Sequence, residues 1–557
     1  DIELPDEKSE FAESVLEARK SLRDVLSGIN GSTAPIAYAI GHSHLDLQWL
    51  WTVEETRRKV ARTLGNQLQL LKEYKDYKYL QTQPWQLSIL KEEYPDLYAQ
   101  VKEAVRDGRI LVDGGMWVEA DVNLPSGESL VRQLLYGKTF LQEEFGTDSR
   151  MLWLPDVFGV SGALPQIMKG CGIRYFMNAK LPWLYDGGEA IPHHNFIWKG
   201  IDGTGILTHI TYDYAAEMTP VKIIEKWKAN PEKEDVPAYL YPFGHGDGGG
   251  GATRVHLEYL KREKNLEGMP RVECKSPEEF FSFVEKDCDM EAEYRGELYF
   301  AAHRGTYTSQ AETKKNNRTC EMLLRETELW LSLCCPEAYD KELLDSLWKK
   351  LLFNQFHDII PGSAIHRVYE IAEKDYSERT VIGGLECVSP ETFSGSGDYC
   401  HGMGDVRYND AYMHDCEADS LDSEQEVQKE WRSVLTVYNS LSWDREVCIE
   451  LPEGYCSILD MDGRPIETQE MDGKVLALIA APSVGYRNFE IRKKEIAERE
   501  VLDETKVVCD PDTVSGGKEF MKVNFFLENA LVRADFDEHG TLLQLTDKET
   551  GIEYLTA

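Results

Sequence analysis

Between Pro35 and about residue 290, short apolar runs of strand length alternate with longer stretches whose apolar residues recur at helical spacing. PIAYAIG (35–41) precedes LGNQLQLLKEY (64–74), RILVDGG (109–115) precedes ESLVRQLLYGKTFL (128–141), RMLWLPD (150–156) precedes LPQIMKG (164–170), and AYLYPFG (238–244) precedes VHLEYLKR (255–262). A strand covered on both faces reads as a continuous apolar run, and two parallel strands need a crossover between them, usually a helix. The alternation therefore predicts a mostly parallel, barrel-like α/β domain, placed at residues 34–300. Ahead of it, a segment at 1–33 carries Phe11, Val15, Leu16, Leu22, Val25 and Leu26 at helical spacing and stops at Gly28.

The pattern then changes. Helical stretches around 319–333, 341–360 and 365–381 predict a helical bundle domain at 301–385, its middle helix ended by Pro361-Gly362. Residues 386–432 hold no sustained period and read as an insertion or linker. From 433 to 557 the chain is β-rich, with a hairpin expected where ENALVRADF, the turn DEHG and TLLQLTD follow one another. This resembles the start of a β-sandwich, and the chain stops too early to close one, so a fragment of a longer polypeptide is expected.

Charge narrows the partners. With 61 basic against 98 acidic residues the net charge is -37, which repels phosphate backbones and anionic lipid. Neither a nucleic acid nor a membrane is expected as partner. No run approaches the roughly 20 apolar residues that span a bilayer, and the acidic start is unlike a secretory signal. The twelve cysteines form no C-x-x-C pair. Reduced thiols and a soluble, cytoplasmic protein are the expectation; the sequence carries no signal for oligomeric state.

Four segments carry candidate chemistry. His44 and Asp46 follow the first apolar run at i, i+2 spacing, which in extended backbone turns both side chains to one side, where they can share a metal ion. His42 has the same parity and is an alternative ligand, and the pair also suits a polar cap. Asp156 ends the run RMLWLPD, where ligands of parallel sheets gather, although an Asp there also serves as a helix N-cap. Asp247 lies in GHGDGGGG (244–251). That loop formally matches a dinucleotide-binding turn, but its carboxylate would face a pyrophosphate; glycines around one carboxylate suit a general acid better, with His245 as the next candidate. His357 falls on the apolar face of the helix expected over 341–360, where a lone histidine is more often a core residue.

Taken together, GHSHLDLQWLW (41–51), GGMWVEADVNLPSGESLVRQ (114–133), WLPDVFGVSGALPQI (153–167), PHHNFIWKGIDG (192–203), GHGDGGGGAT (244–253), ELYFAAHRGTYTSQAETKKNNR (297–318) and NQFHDIIPGSAI (354–365) resemble glycoside hydrolase family 38, the α-mannosidases, and its cytosolic and vacuolar branch. The resemblance implies a retaining, exo-acting α-mannosidase. It implies one Zn²⁺ per chain, with Co²⁺ as a substitute, held by His44, Asp46, Asp156 and His357. Asp156 would double as nucleophile and Asp247 would be the acid/base. Trp49 would lie under the sugar, with Phe158 and Asp358 lining the site and Lys199, Tyr214, Arg304 and Tyr307 as further pocket residues; Trp49 and Trp51 also suit the core. The expected partner is an α-mannoside oligosaccharide. Competing readings are a metal-dependent carbohydrate deacetylase, a non-catalytic mannoside-binding protein and a nicotinamide enzyme.

Overall fold

The computed structural model describes residues 8–183, 191–377, 406–409, 433–493 and 525–555, apart from positions 24, 335, 337, 338, 472, 529, 530, 538–540 and 549. The expected alternation is present as α1 (Lys8–Arg23), β1 (Ile36–His42), α2 (Val53–Glu73), β2 (Tyr79–Gln81), α3 (Pro84–Glu93), α4 (Pro95–Arg106), β3 (Ile110–Val112), α5 (Gly127–Phe145), β4 (Met151–Trp153), α6 (Leu164–Gly170) and β5 (Tyr175–Asn178). It continues with β6 (Asn195–Lys199), β7 (Gly205–Ile210), α7 (Pro220–Ala229), β8 (Ala238–Phe243), α8 (Arg254–Glu263), β9 (Arg271–Cys274), α9 (Pro277–Asp287) and β10 (Glu293–Arg295).

The strands form two five-stranded sheets, β3-β2-β1-β8 with β9 also on β1, and β10-β6-β7-β5-β4. All pairings are parallel except β6 with β7. Side chains of both sheets meet in one cluster, where Tyr38 and Ile40 of β1, Trp153 of β4, Met177 of β5 and Leu240 of β8 pack with Phe280 and Phe281 of α9. Every residue of β8 is buried, as a continuous apolar run requires. Each fully buried Leu or Phe contributes roughly 1.5–3 kcal/mol relative to exposure, so this shared interior holds the sheets together. Helices begin and end where the sequence marks them: Ser126 caps α5 by accepting from Ser129 N, and Gly146 ends it at φ 69°. The helical spacing that runs up to Gly28 appears as α1 to Arg23 and a separate 3-10 turn at Val25–Ser27.

Three helices follow: α10 (Ala311–Cys334), α11 (Lys341–Asn354) and α12 (His366–Ser377). The helix expected over 341–360 stops at Asn354, so His357 lies in a turn. The cause is tertiary: the buried Gln355 side chain donates to Ser129 Oγ, Asn317 Oδ1 and Glu321 Oε1, and Phe356 bridges Ala120. The end of the third stretch, 378–381, lies outside the described residues. So does most of 386–432, within which Val406–Asn409 pairs with Ser433–Asn439. The described C-terminal strands are antiparallel, and the expected hairpin joins Val532–Phe536 to Leu542–Asp547. No described helix is long and apolar enough to cross a membrane.

Candidate active site

Loops at the carboxyl ends of β1, β4, β5 and β8 converge with the turn after α11. Among the described residues, one group of His, Cys, Asp or Glu side chains can hold a metal ion: His44, Asp46 and His357, all buried, with ligand atoms within 4.8 Å of one another. His44 Nε2 lies 3.0 Å and His357 Nε2 3.4 Å from Asp46 Oδ1. Asp156, just past β4, places Oδ2 3.9 Å from His357 Nε2, while its Oδ1 is 2.5 Å from Lys180 Nζ.

These groups suit a cation. His44 Nε2, His357 Nε2 and Asp46 Oδ1 are buried without a hydrogen-bond partner despite their closeness. Four buried carboxyls, those of Asp46, Glu119, Asp156 and Asp358, crowd the site around one buried ammonium, Lys180. The titration behaviour of the chain alone reflects this excess of negative charge. Burial opposes a charge on His44 and His357, yet Glu119 and Asp46 hold the first well above its usual pKa, and Asp46 and Asp358 push the second up to about 9. Burial, with Asp46 beside it, pushes Asp358 up to about 7. Two imidazoles and two carboxylates are a donor set that zinc favours.

His42 is not part of this set. Its Nδ1 contacts Leu80 O at 3.1 Å, its Nε2 accepts from Trp153 Nε1 at 3.3 Å, and burial lowers its pKa to about 4. A neutral imidazole with both nitrogens engaged has no lone pair to offer a metal.

Asp247 faces this cluster from the glycine-rich loop. Its backbone sits at φ 48°, a conformation rare for a residue with a side chain, and Tyr214 donates to its Oδ1 at 3.0 Å. The Tyr214 ring in turn lies edge-on to His44 at 4.9 Å. The loop is fastened to the first site through Asp46 N, which donates to Asp247 O, and Ser43 Oγ, which donates to His245 O.

The remaining predicted residues divide. Phe158 is buried edge-on to His357, with ring centroids 5.9 Å apart, and Asp358 accepts from Ser363 Oγ at 2.6 Å. Tyr307 is reached by Asn123 Nδ2, which also contacts Phe158 O. Trp49 is half-buried and tied by its carbonyl to Ile365 N, close in sequence to Asp358. Trp51 packs under Lys59. Arg304 is exposed, beside His303, whose ring touches Phe158. Lys199 is misplaced by the sequence reading: β6 runs antiparallel to β7, so Lys199 pairs with Gly205 at the sheet end away from Asp156 and forms an ion pair with Glu293.

Two site residues were missed. Lys180 lies just beyond β5 and also contacts the Trp183 ring at 4.3 Å; its strand-end position was a usable signal. Glu119, with Oε2 2.7 Å from His44 Nδ1, has no such signal.

Residues 35–298 match the glycosyl hydrolases family 38 N-terminal domain, and residues 301–383 match the alpha mannosidase middle domain. Alpha-mannosidase 2C1 of Homo sapiens is 41% identical over 354 residues, 62% of this chain and 34% of that protein. Alpha-mannosidase G of Dictyostelium discoideum is 40% identical over 354 residues, covering 62% and 32% of the two chains, and an Alpha-mannosidase of Saccharomyces cerevisiae is 36% identical over 351 residues, covering 60% and 32%. The chain thus spans about a third of the length of these relatives. The crystal structure of an alpha-mannosidase from Enterococcus faecalis V583 has the same fold, with a TM-score of 0.66 and 16% identity over 93% of this chain and 61% of that one.

Proposed function

Through its domains at residues 35–298 and 301–383 the chain belongs to glycosyl hydrolase family 38, and from that premise we propose that it is a retaining, exo-acting α-mannosidase acting on terminal α-mannosyl residues of oligosaccharides or glycoconjugates. The observation that carries this reading is the convergence of His44, Asp46, His357, Asp156 and the Tyr214–Asp247 pair at the strand ends. We take residues 34–300 as the catalytic domain, 301–385 as a helical domain contributing His357, 386–432 as a linker and 433–557 as a β-rich region.

In this reading His44, Asp46, Asp156 and His357 would hold one Zn²⁺, or Co²⁺ in its place, and the ion would supply Lewis-acid binding of sugar hydroxyls. Lys180 fixes one oxygen of Asp156 by its ion pair. Asp156 attacks the anomeric carbon, and Asp247, oriented by Tyr214, gives its proton to the leaving oxygen as the glycosidic bond breaks. Asp247, now a carboxylate, then takes a proton from water, whose oxygen displaces Asp156 and releases α-mannose. Trp49 offers an indole face to the sugar's C–H groups, and Phe158, Asp358 and Tyr307 bound the pocket. Arg304 lies at its exposed rim. Cys171, Cys274, Cys288, Cys320, Cys448 and Cys456 carry free thiols, which suits a reducing compartment such as the cytosol.

Hydrolysis of an aryl α-mannoside, followed with and without a chelator, is the direct test. Turnover that stops with chelator and returns with Zn²⁺ is expected. Acetate release from acetylated sugars, or mannoside binding without turnover, would replace this reading with a deacetylase or a binding protein.

A further inference from the structure

Glu119 is 2% exposed and reaches both imidazoles of the cluster through different groups. Its Oε2 lies 2.7 Å from His44 Nδ1 as an ion-pair contact, and both atoms are buried without a hydrogen bond of ordinary geometry. Its main-chain oxygen lies 2.7 Å from His357 Nδ1 and also accepts the His357 backbone N–H at 3.3 Å. Glu119 is itself fastened: its Oε1 accepts from Thr82 Oγ1 at 2.8 Å, and its N–H donates to Gln83 Oε1 at 3.2 Å. Thr82 and Gln83 are both buried.

In the neutral imidazole that would bind a metal, an acceptor beside Nδ1 keeps the single proton on that nitrogen and leaves the Nε2 lone pair free. Both Nε2 atoms face the same point, Asp46 Oδ1, at 3.0 and 3.4 Å. In the opposite tautomer each would aim an N–H there instead, which cannot bind a cation. We propose, on the metal reading above, that Glu119 is the positioning residue of the site: it locks both histidines in the Nδ1–H tautomer, by its carboxylate on one and its carbonyl on the other, and thereby sets metal affinity. Thr82 acts one step further out, by fixing the carboxylate's orientation.

The test is Zn²⁺ affinity of metal-stripped full chain, measured by competition with a chromogenic chelator, together with the visible absorption of the Co²⁺-loaded chain. Glu119→Gln keeps a carbonyl acceptor for Nδ1–H and should weaken binding about 10-fold, whereas Glu119→Leu removes the acceptor and should weaken it about 100-fold. Thr82→Val, nearly isosteric, should fall at or below the Gln loss, and the Co²⁺ band should shift in the order of these losses. Should Glu119→Leu fail to fold, the two near-isosteric variants decide. Affinity and Co²⁺ spectrum unchanged in both would overturn the role of Glu119 while leaving the metal site intact. A wild-type chain that takes up no metal, or a His44→Ala chain that takes up as much as wild type, would overturn the metal reading and this inference with it.

Discussion

Asp247 is the residue whose setting most directly marks a task. A carboxylate held at φ 48° in a run of glycines costs backbone strain, and the Tyr214 hydroxyl fixes its orientation. As the proposed general acid it would matter only where the leaving group needs a proton. Asp247→Asn should therefore lower kcat/KM on mannosides with poor leaving groups about 10²–10⁴-fold and spare activated aryl mannosides; equal losses on both would move the role elsewhere, with His245 next. Away from the site, Glu263 at the end of α8 is buried with neither carboxylate oxygen hydrogen-bonded, and burial raises its pKa to about 8. A folded-state pKa above the unfolded value gives stability that is full below about 4.5 and is lost as pH rises through 8. Glu263→Gln should raise the melting temperature at pH 8 by a few degrees and flatten its pH dependence above pH 4.5; a parallel pH profile would remove Glu263 as the cause. At this scale, the positions of His44, Asp46, Asp156 and Asp247 were legible because each directly follows an apolar run. Glu119 was not, because what brings it to His44 is the packing of one loop against another, and WVEAD looks like many buried turns. Lys180 was overlooked although it obeys the strand-end rule that singled out Asp156.

The glycine-rich loop works as an element because it can lie flat against the loop after β1. Gly244 sits at φ 120°, and a Cβ there would meet the backbone oxygen of His42 at 2.5 Å. Backbone cannot yield as a side-chain end can, so the loop itself must move. Gly244→Ala should lower kcat at least as much as Tyr214→Phe; retained kcat would mean that the loop does not set Asp247. Direction and termination of elements are also where the sequence fell short. The alternating pattern does not tell a parallel strand from an antiparallel one, and the reversal of β6 takes Lys199 away from the site. Apolar spacing through Phe353, Phe356 and Ile360 continues past the real end of α11, which is set by hydrogen bonds of Gln355 to Ser129 on α5 and to Asn317 and Glu321 on α10. The hairpin 532–547, by contrast, was readable because a local turn signal fixes it.

At the scale of the whole molecule the site joins parts distant in sequence. His44, Asp46 and Asp156 come from the α/β domain, while His357 follows α11. The same two parts share one apolar core, in which Leu130 and Leu134 of α5, Leu152 of β4 and Phe176 of β5 pack with Leu324 of α10, Leu347 and Trp348 of α11 and Val368 of α12. That core packs the turn at 355–360 against the strand ends. A bound cation would nonetheless link the two parts a second time, and anything that binds only the folded chain stabilises it by mass action. With free metal at 100 times its Kd the gain is about 2.7 kcal/mol. Scanning calorimetry should then show a higher melting temperature with Zn²⁺ than after chelation. His357→Ala removes the proposed ligand from the helical part but leaves the core packing, so it should lose most of that difference and melt near the chelated wild type. If His357→Ala keeps the full metal-dependent rise, the ion is held by the α/β domain alone, and the helical domain contributes packing but no ligand.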